Sequence, residues 1–238
     1  MIQLSKRLQA VAELAACGKC VADVGTDHGY LPIRLVEQGI ADRAIAMDVR
    51  MGPLQRAQEH IREHQLGAYI ETRLSDGLAA LHRDEAQVIV IAGMGGATMR
   101  GILEAGSAVI SPDTILVLQP QSELYEFRGY LVTHEFRLLA ENMVEEDGKY
   151  YPMMKVQKGC DAALPYTEQE LRYGPLLLRQ RHPVLKEFLR WQLRQKERIS
   201  EQIRSSGPET RERELREEIA GIRQVMERSY CNEVQGYH

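Results

Sequence analysis

Five short apolar runs, alternating with stretches of helical periodicity, limit most strongly what this chain can fold into. The runs lie at 21–24, 44–47, 69–72, 88–91 and 115–118, the third being the weakest. Helical stretches fall at 31–38, 53–65, 97–105 and 123–133. Runs so short read as strands buried on both faces. Parallel neighbours need long crossovers, which the helical stretches supply. The expectation is a parallel sheet covered by helices on both faces. Pro53 suits a helix start, and Gly67 is expected to cap the end of that helix. A further helix is expected within 1–18, where Leu4, Leu8, Val11 and Leu14 or Ala15 recur at helical spacing, with Ser5 as an early cap.

Two later runs, 136–143 and 150–156, are separated by EEDGK. The pair Asp147-Gly148 is a strong hairpin signal. A mostly parallel sheet with a terminal antiparallel hairpin is the methyltransferase version of the Rossmann-like α/β fold. The dehydrogenase version stays parallel.

Beyond Gly159 strand formers are few. Leu185 and Leu189 are echoed at Ile199 and Ile203, with Gln192 and Lys196 between them. After SSGP at 205–208 the stripe resumes at Leu215, Ile219, Ile222 and Met226. This pattern predicts an α-helical, coiled-coil-like hairpin. The chain therefore reads as two domains, 1–158 and 159–238. The second is either a self-packed cap or an arm that grips a partner, with Arg190, Arg194, Lys196, Arg198 and Arg204 on or near its outer faces.

The 238 residues are 44% hydrophobic and 27% charged, ordinary for a globular protein. No apolar stretch approaches the roughly 20 residues of a membrane helix, and the first residues lack the pattern of a signal peptide. A cytoplasmic protein without membrane contact is expected, and a monomer is favoured. The net charge is −4, with 16 basic and 21 acidic residues through Lys158 against 14 and 13 thereafter. There is no global polyanion-binding field, so nucleic-acid contact would need local patches. Four cysteines, Cys17, Cys20, Cys160 and Cys231, make no disulfide framework. The CGKC at 17–20 precedes a strand rather than following one, so it reads as a helix end. No second CxxC completes a zinc site. His60 and His64 stand at i, i+4 without a third ligand, which reads as a solvated helix face. No metal is expected.

The chemistry concentrates in VADVGTDHGYLP. Asp23 ends the first strand, Gly25 opens a turn, and a helix starts near Tyr30. Glycine permits positive φ and close approach, and a helix start offers free N–H groups. A dinucleotide fingerprint wants GxGxxG. Here Asp27 takes the place of the second glycine and would repel a pyrophosphate. A ligand with an ammonium group and no phosphate, such as S-adenosylmethionine, suits it better. Asp48 ends the second strand, placed to accept from ribose hydroxyls. Asp76, before Gly77 in RLSDGL, is placed to accept from the adenine amino group. VIVIAGMGGATM puts Gly93, Gly95 and Gly96 around Met94 at a strand's carboxyl end, where ligands bind in open parallel sheets. LVLQPQ puts Gln119 and Gln121 at the same edge.

DVGTDHGYLP, SDGL, IAGMGG and LQPQ in this order, with SKRLQAVAE and EEDGKYY, resemble the bacterial TrmK family of tRNA adenine-N1 methyltransferases over nearly the whole chain. The resemblance implies a class I, S-adenosylmethionine-dependent fold that methylates N1 of adenine 22 in tRNA. It implies cofactor contacts from Gly25, Asp27, Asp48, the adjacent Val49, Asp76, Gly77 and Gly93. Gly93 and Met94 belong to the loop facing the target base. Asp27, His28 and Met94 form the candidate catalytic set. Arg7, Gly95, Gln119 and Gln121 are candidate substrate contacts. Asn is commoner in the family where Gln121 stands, so the amide here reaches one methylene further.

Adenine N1 is unprotonated at neutral pH and needs no base to make it a nucleophile. Catalysis would rest on positioning and on negative or dipolar groups near the developing cation. Asp27 can serve there or bind cofactor alone; His28 can act, cap the helix or pack. N1 lies on the pairing edge, so the base must be unpaired or extruded. Lys6, Arg7, Arg34, Arg50 and Arg100 are candidate backbone contacts. Alternatives are a class I methyltransferase acting on another RNA, a protein or a small molecule, an NAD-dependent oxidoreductase, which Asp27 and the hairpin disfavour, and a non-enzymatic RNA-binding protein with a decayed pocket.

Overall fold

The computed structural model describes residues 2–16, 19–159, 165–203 and 209–230. Cys17, Cys160, Cys231, Arg204 and the SSGP turn lie outside them. The chain divides into two compact units, Met1–Pro165 and Tyr166–His238.

The first unit alternates as its apolar runs require. Helix α1 (Lys6–Leu14) precedes β1 (Cys20–Val24), α2 (Tyr30–Glu37), β2 (Arg43–Asp48), α3 (Met51–Glu63) and β3 (Ile70–Leu74). Then come β4 (Val88–Met94), α4 (Gly96–Ala105), β5 (Ile115–Pro120), α5 (Leu124–Thr133), β6 (Phe136–Glu146) and β7 (Lys149–Lys158). They build one seven-stranded sheet in the order β3-β2-β1-β4-β5-β7-β6. The first five strands are parallel; β7 enters antiparallel beside β5, and β6 pairs with β7. Asp147 and Gly148 both have positive φ, 52° and 73°, as a primed two-residue hairpin turn demands. Ser5 caps α1, its side chain accepting from the Leu8 N–H at 3.2 Å. The helix is confined to Lys6–Leu14, shorter than 1–18. Gly67 does not cap α3. Gln65 takes the left-handed conformation instead (φ 57°), and the Leu66 N–H closes onto the Ile61 carbonyl at 2.9 Å.

Period-two alternation sorts the strands' side chains between two faces. Ala22, Val24, Ile89, Ile91, Leu116 and Leu118 pack with Met99 and Leu103 of α4 and Phe127 of α5. Val21, Val88, Val90 and Val117 pack with Val11 of α1 and Leu31 and Leu35 of α2. By the same alternation Asp23 and Gln119 share the face that α1 covers, at the carboxyl ends of their strands. Arg128 of α5 and Glu141 of β6 form a buried ion pair at 3.0 Å.

The second unit holds α6 (Glu168–Tyr173), α7 (Pro175–Arg179), α8 (Pro183–Ile203) and α9 (Glu209–Tyr230). The first two are too short for apolar periodicity to announce. Thr167 and Glu170 form a full capping box at the start of α6. The long helices run antiparallel: Lys196 pairs with Glu218, Arg223 with Glu197, and the Tyr230 hydroxyl donates to the His182 carbonyl. Leu185 and Leu189 of α8 and Leu215, Ile219, Ile222 and Val225 of α9 are buried. Ile199 is 40% exposed, so the apolar stripe of α8 is shorter than its sequence spacing implies. Ion pairs bridge the helices where it ends.

Candidate active site

The carboxyl ends of the parallel strands form one rim, stitched by backbone. The N–H groups of Gly25 and Thr26 both donate to the Met47 carbonyl at 2.8 Å. Ser75 N–H donates to the Asp48 carbonyl at 2.9 Å, and Gln121 N–H to the Met94 carbonyl at 2.9 Å. These bonds tie the Gly25 turn to the end of β2, the Ser75 turn to Asp48, and the Gln121 loop to Met94. Gly25 has φ 80°, and Gly29, the N-cap of α2, has φ 69°. Both positions need glycine. The N-terminus of α2 has no side-chain cap, so its N–H groups face the turn unshielded.

Asp48 is buried at the end of β2; one oxygen accepts from the Arg50 N–H at 2.8 Å. Val49 beside it is 59% exposed, and Leu74 across the rim is 55% exposed. Two bare apolar side chains flanking carboxylates make a surface suited to a flat base and its ribose. Asp76 is exposed, while Ser75 holds the turn by donating to the Gly77 carbonyl and accepting from Ala80 N–H. Gly77 (φ 55°) completes that turn.

Asp27 is not a bare acid. One oxygen accepts from Arg56 of α3 at 2.8 Å, and His28 Nε2 lies 3.3 Å from the other. Asp27 therefore repels phosphate less than its place in the sequence implies, since Arg56 answers its charge. His28 does not cap α2. Its ring stacks on Tyr30 at 5.0 Å and lies 5.7 Å from His60, and its Nδ1 is buried without a hydrogen-bond partner. His60 and His64 are half-buried and bonded rather than a solvated face: their Nδ1 atoms meet the His28 carbonyl at 2.8 Å and Glu37 at 2.6 Å. Among the described residues no three His, Cys, Asp or Glu side chains gather as a metal site.

The carboxylate that sequence reasoning passed over is Asp23. It is 7% exposed, and burial pushes its pKa up to about 6 despite a hydrogen bond with Thr26 and the nearby Arg7. Its signal was a charge inside an otherwise apolar strand run. Arg7 reaches the same face from α1. Its guanidinium donates to Gln119 Oε1 at 3.0 Å and lies 5.7 Å from the Tyr151 ring centre. The Gly93 N–H donates to the same Gln119 oxygen at 3.2 Å, and Gln119 Nε2 to the Pro120 carbonyl. Gln119 is fully buried and spends its amide on the protein. It fixes Arg7 and Gly93, whereas exposed Gln121 keeps its side chain at the surface.

Gly93 (φ 80°) sits at a bulge between Ala92 and Met94. Met94 follows it, and Gly95 caps α4 without a side chain. Of the candidate backbone contacts, Arg34 donates to the Ile2 carbonyl and Arg100 pairs with Glu123. The arginines of α8 belong to the other unit.

This rim can hold a nucleoside by its carboxylates and a small charged tail at the bare α2 start, with a second flat group against the Met94 loop. The buried acid Asp23 and the glycine turn fit the amino-acid tail of S-adenosylmethionine: a cationic group there would offset the cost of burying the carboxylate.

A family model described as TrmK: tRNA (adenine(22)-N(1))-methyltransferase matches residues 21–224. The tRNA (adenine(22)-N(1))-methyltransferase of Bacillus subtilis (strain 168) is 34% identical over 222 residues, covering 92% of this chain and 93% of that protein. The crystal structure of the B. subtilis M1A22 tRNA methyltransferase TrmK superposes with a TM-score of 0.83 at 33% identity, covering 95% of this chain and all of that one. Streptococcus pneumoniae Sp1610 in complex with S-adenosyl-L-methionine gives 0.83 at 35% identity, over 94% of this chain and all of that one.

Proposed function

The chain belongs to the TrmK family of tRNA (adenine(22)-N(1))-methyltransferases, and on that premise we propose that it transfers a methyl group from S-adenosylmethionine to N1 of adenine 22 in tRNA. The observation that carries the reading to the chemistry is the rim itself. A glycine turn, the acids Asp23 and Asp48, the Asp76–Gly77 turn and the Gly93–Gly95 loop all lie at the carboxyl ends of the parallel strands, with Met94 packed over Gly25.

S-adenosylmethionine, when bound, would supply an electrophilic sulfonium methyl to the unprotonated adenine N1, with S-adenosylhomocysteine as the leaving group. Gly25, Asp27 and Asp23 would hold its amino-acid tail, Asp48 its ribose, and Val49, Asp76 and Gly77 its adenine. Gly93 leaves the backbone bare where cofactor and target base meet. Met94 packs over the turn and, with Gly95, shapes the floor for the base. Gln121 orients the base; Gln119 and Arg7 hold the loop that presents it. No residue need remove a proton before attack, so the work is positioning. His28 sets a polarisable group near the cation that forms, while Asp27, whose charge Arg56 answers, serves the cofactor tail.

The base must leave its pair to present N1. tRNA is held in part by the second unit. Arg190, Arg194 and Arg198 lie exposed at one-turn spacing on α8 and form no ion pair among the described residues. A tRNA substrate supports a cytoplasmic location. No described helix is long and apolar enough to cross a membrane.

Incubation with unmodified tRNA and methyl-labelled S-adenosylmethionine, followed by nuclease digestion and mass spectrometry, tests the proposal. Label in 1-methyladenosine at position 22 is expected. Cofactor binding without label in any tRNA would redirect the reading to another methyl acceptor.

A further inference from the structure

Glu123 is an anomaly of the rim. It is a non-glycine residue held at φ 54°, ψ 40°, in the left-handed region that side chains rarely adopt. It is the N-cap of α5, yet its side chain caps nothing there. One carboxylate oxygen instead accepts from the Ala97 N–H at 2.6 Å, in the first turn of α4. The other lies 3.5 Å from Arg100 Nη2, one turn along the same helix. The N-cap of α4, Gly95, has no side chain to cap with. Glu123 therefore supplies from a different loop the anionic cap that α4 lacks, at the end of the helix that favours negative charge.

The helix it caps begins two residues after Met94. The two loops also touch elsewhere. Gln121 N–H donates to the Met94 carbonyl, and a Cβ on Gly96 would stand 2.7 Å from the Ser122 carbonyl oxygen. A Cβ on Gly95 would stand 3.1 Å from Ser122 Oγ. The backbones thus press together where glycine allows it, and the Ala97–Glu123 hydrogen bond ties them. A strained conformation persists where surrounding structure over-determines it, and such residues gather at functional sites.

We propose that Glu123 is a positioning residue for methyl transfer: by capping α4 across the rim, it fixes the Met94–Gly96 loop and the Gln121 side chain as one unit that presents the acceptor base. The effect on turnover rests on the tRNA methyltransferase reading. The clamp itself does not, and amide exchange reads it directly.

The test compares Glu123→Gln, Glu123→Ala and Glu123→Gly in the full chain. Glu123→Gln keeps an acceptor oxygen for Ala97. Glu123→Gly loses the oxygen but relieves the φ 54° conformation, which protects folding. Hydrogen exchange of the Ala97 amide should quicken in the Ala and Gly variants and stay near the parent rate in the Gln variant. At saturating tRNA, kcat should fall roughly tenfold to a hundredfold in the Ala and Gly variants, about the cost of a small misplacement. The Gln variant should retain turnover within about threefold, and all three should bind S-adenosylhomocysteine within about twofold of the parent by calorimetry. Unchanged exchange at Ala97 in the Ala variant overturns the clamp, whatever the methyl acceptor. Parent-like turnover in both the Ala and Gly variants, or cofactor affinity falling in step with turnover, overturns the positioning role. So does a Gln variant as impaired as the Ala variant.

Discussion

Met94 reaches from the end of β4 to lie over Gly25 in the first turn, so close that a Cβ at residue 25 would stand 2.2 Å from its Cε. The loop assigned to the acceptor base and the loop assigned to the cofactor are therefore packed on each other. Gly25→Ala meets two costs. The φ of 80° disfavours any side chain by about 1–2 kcal/mol. The methionine tip must also swing away, which a flexible thioether does readily. Urea unfolding should show a loss of about 1–2 kcal/mol, and S-adenosylhomocysteine affinity should fall about tenfold as the turn opens. Parent-like affinity with the expected loss of stability would make Gly25 a purely conformational glycine.

Asp48 presents a carboxylate with one oxygen bound to the Arg50 N–H, the Arg50 guanidinium 3.7 Å from that same oxygen, and the other oxygen uncommitted among the described contacts. Hydrogen bonds from ribose to a charged acceptor are worth about 1.5–3 kcal/mol. Asp48→Ala should therefore weaken cofactor binding about tenfold to a hundredfold in a calorimetric titration. Circular dichroism should match the parent, because the strand pairs through its backbone. An unchanged dissociation constant would remove the ribose assignment.

What could be read in advance follows from where the information sits. Alternating short apolar runs and the Asp147-Gly148 turn are local signals, and they specify the sheet and its terminal hairpin. Gly25, Asp48, Asp76 and the Gly93–Gly95 loop carry chemistry at strand ends, so position in the pattern exposes them. The importance of Asp23 comes from burial beneath α1 and not from its neighbours in sequence. Arg56 meets Asp27 from a different helix, and Glu123 caps a helix that starts before it in the chain. No spacing rule announces either contact. Gln119 reads from its strand-end position as a candidate substrate contact; only the tertiary structure shows Arg7 and Gly93 claiming its oxygen.

Asp23 makes stability depend on pH with an unusual sign for a carboxylate. Its pKa rises from 3.8 to about 6 in the folded protein, chiefly through burial. Between those values the folded state holds a proton that the unfolded chain has released, so this group's contribution to stability declines as pH rises from about 4 to 6 and is flat above. The shift of about two units corresponds to about 3 kcal/mol. Asp23→Asn has no charge to bury. It should unfold at higher urea than the parent at pH 7.5, and the difference should shrink towards pH 4. Cofactor affinity should fall in the same variant, since the Asn side chain offers no charge to the ammonium. Stability and binding then move in opposite directions. A variant less stable than the parent at pH 7.5 would show that the Thr26 and Arg7 interactions outweigh desolvation.

The exposed arginines of α8 separate an arm that holds tRNA from a structural cap. Arg190, Arg194 and Arg198 follow one another every four residues, about 6 Å apart along the helix. Trp191 stands among them at 39% exposure, with Phe188 stacked 6.0 Å away. Cations interleaved with an aromatic suit a nucleic-acid backbone and an unstacked base. Replacing all three arginines by alanine removes side chains from a solvent-facing helix surface, so folding should be little changed. Each phosphate that an arginine no longer neutralises should lower the slope of log affinity against log salt by about 0.7–0.9. The triple variant should therefore bind tRNA more weakly at low salt, with a slope smaller by up to about 2–3. Cofactor affinity should stay at the parent value, because the arginines and the cofactor rim belong to different units. A filter-binding series across salt concentrations reads the tRNA affinity and its slope together. An unchanged slope would mean that these arginines meet no phosphate, and the basic patch that recruits tRNA would then have to be sought on the first unit.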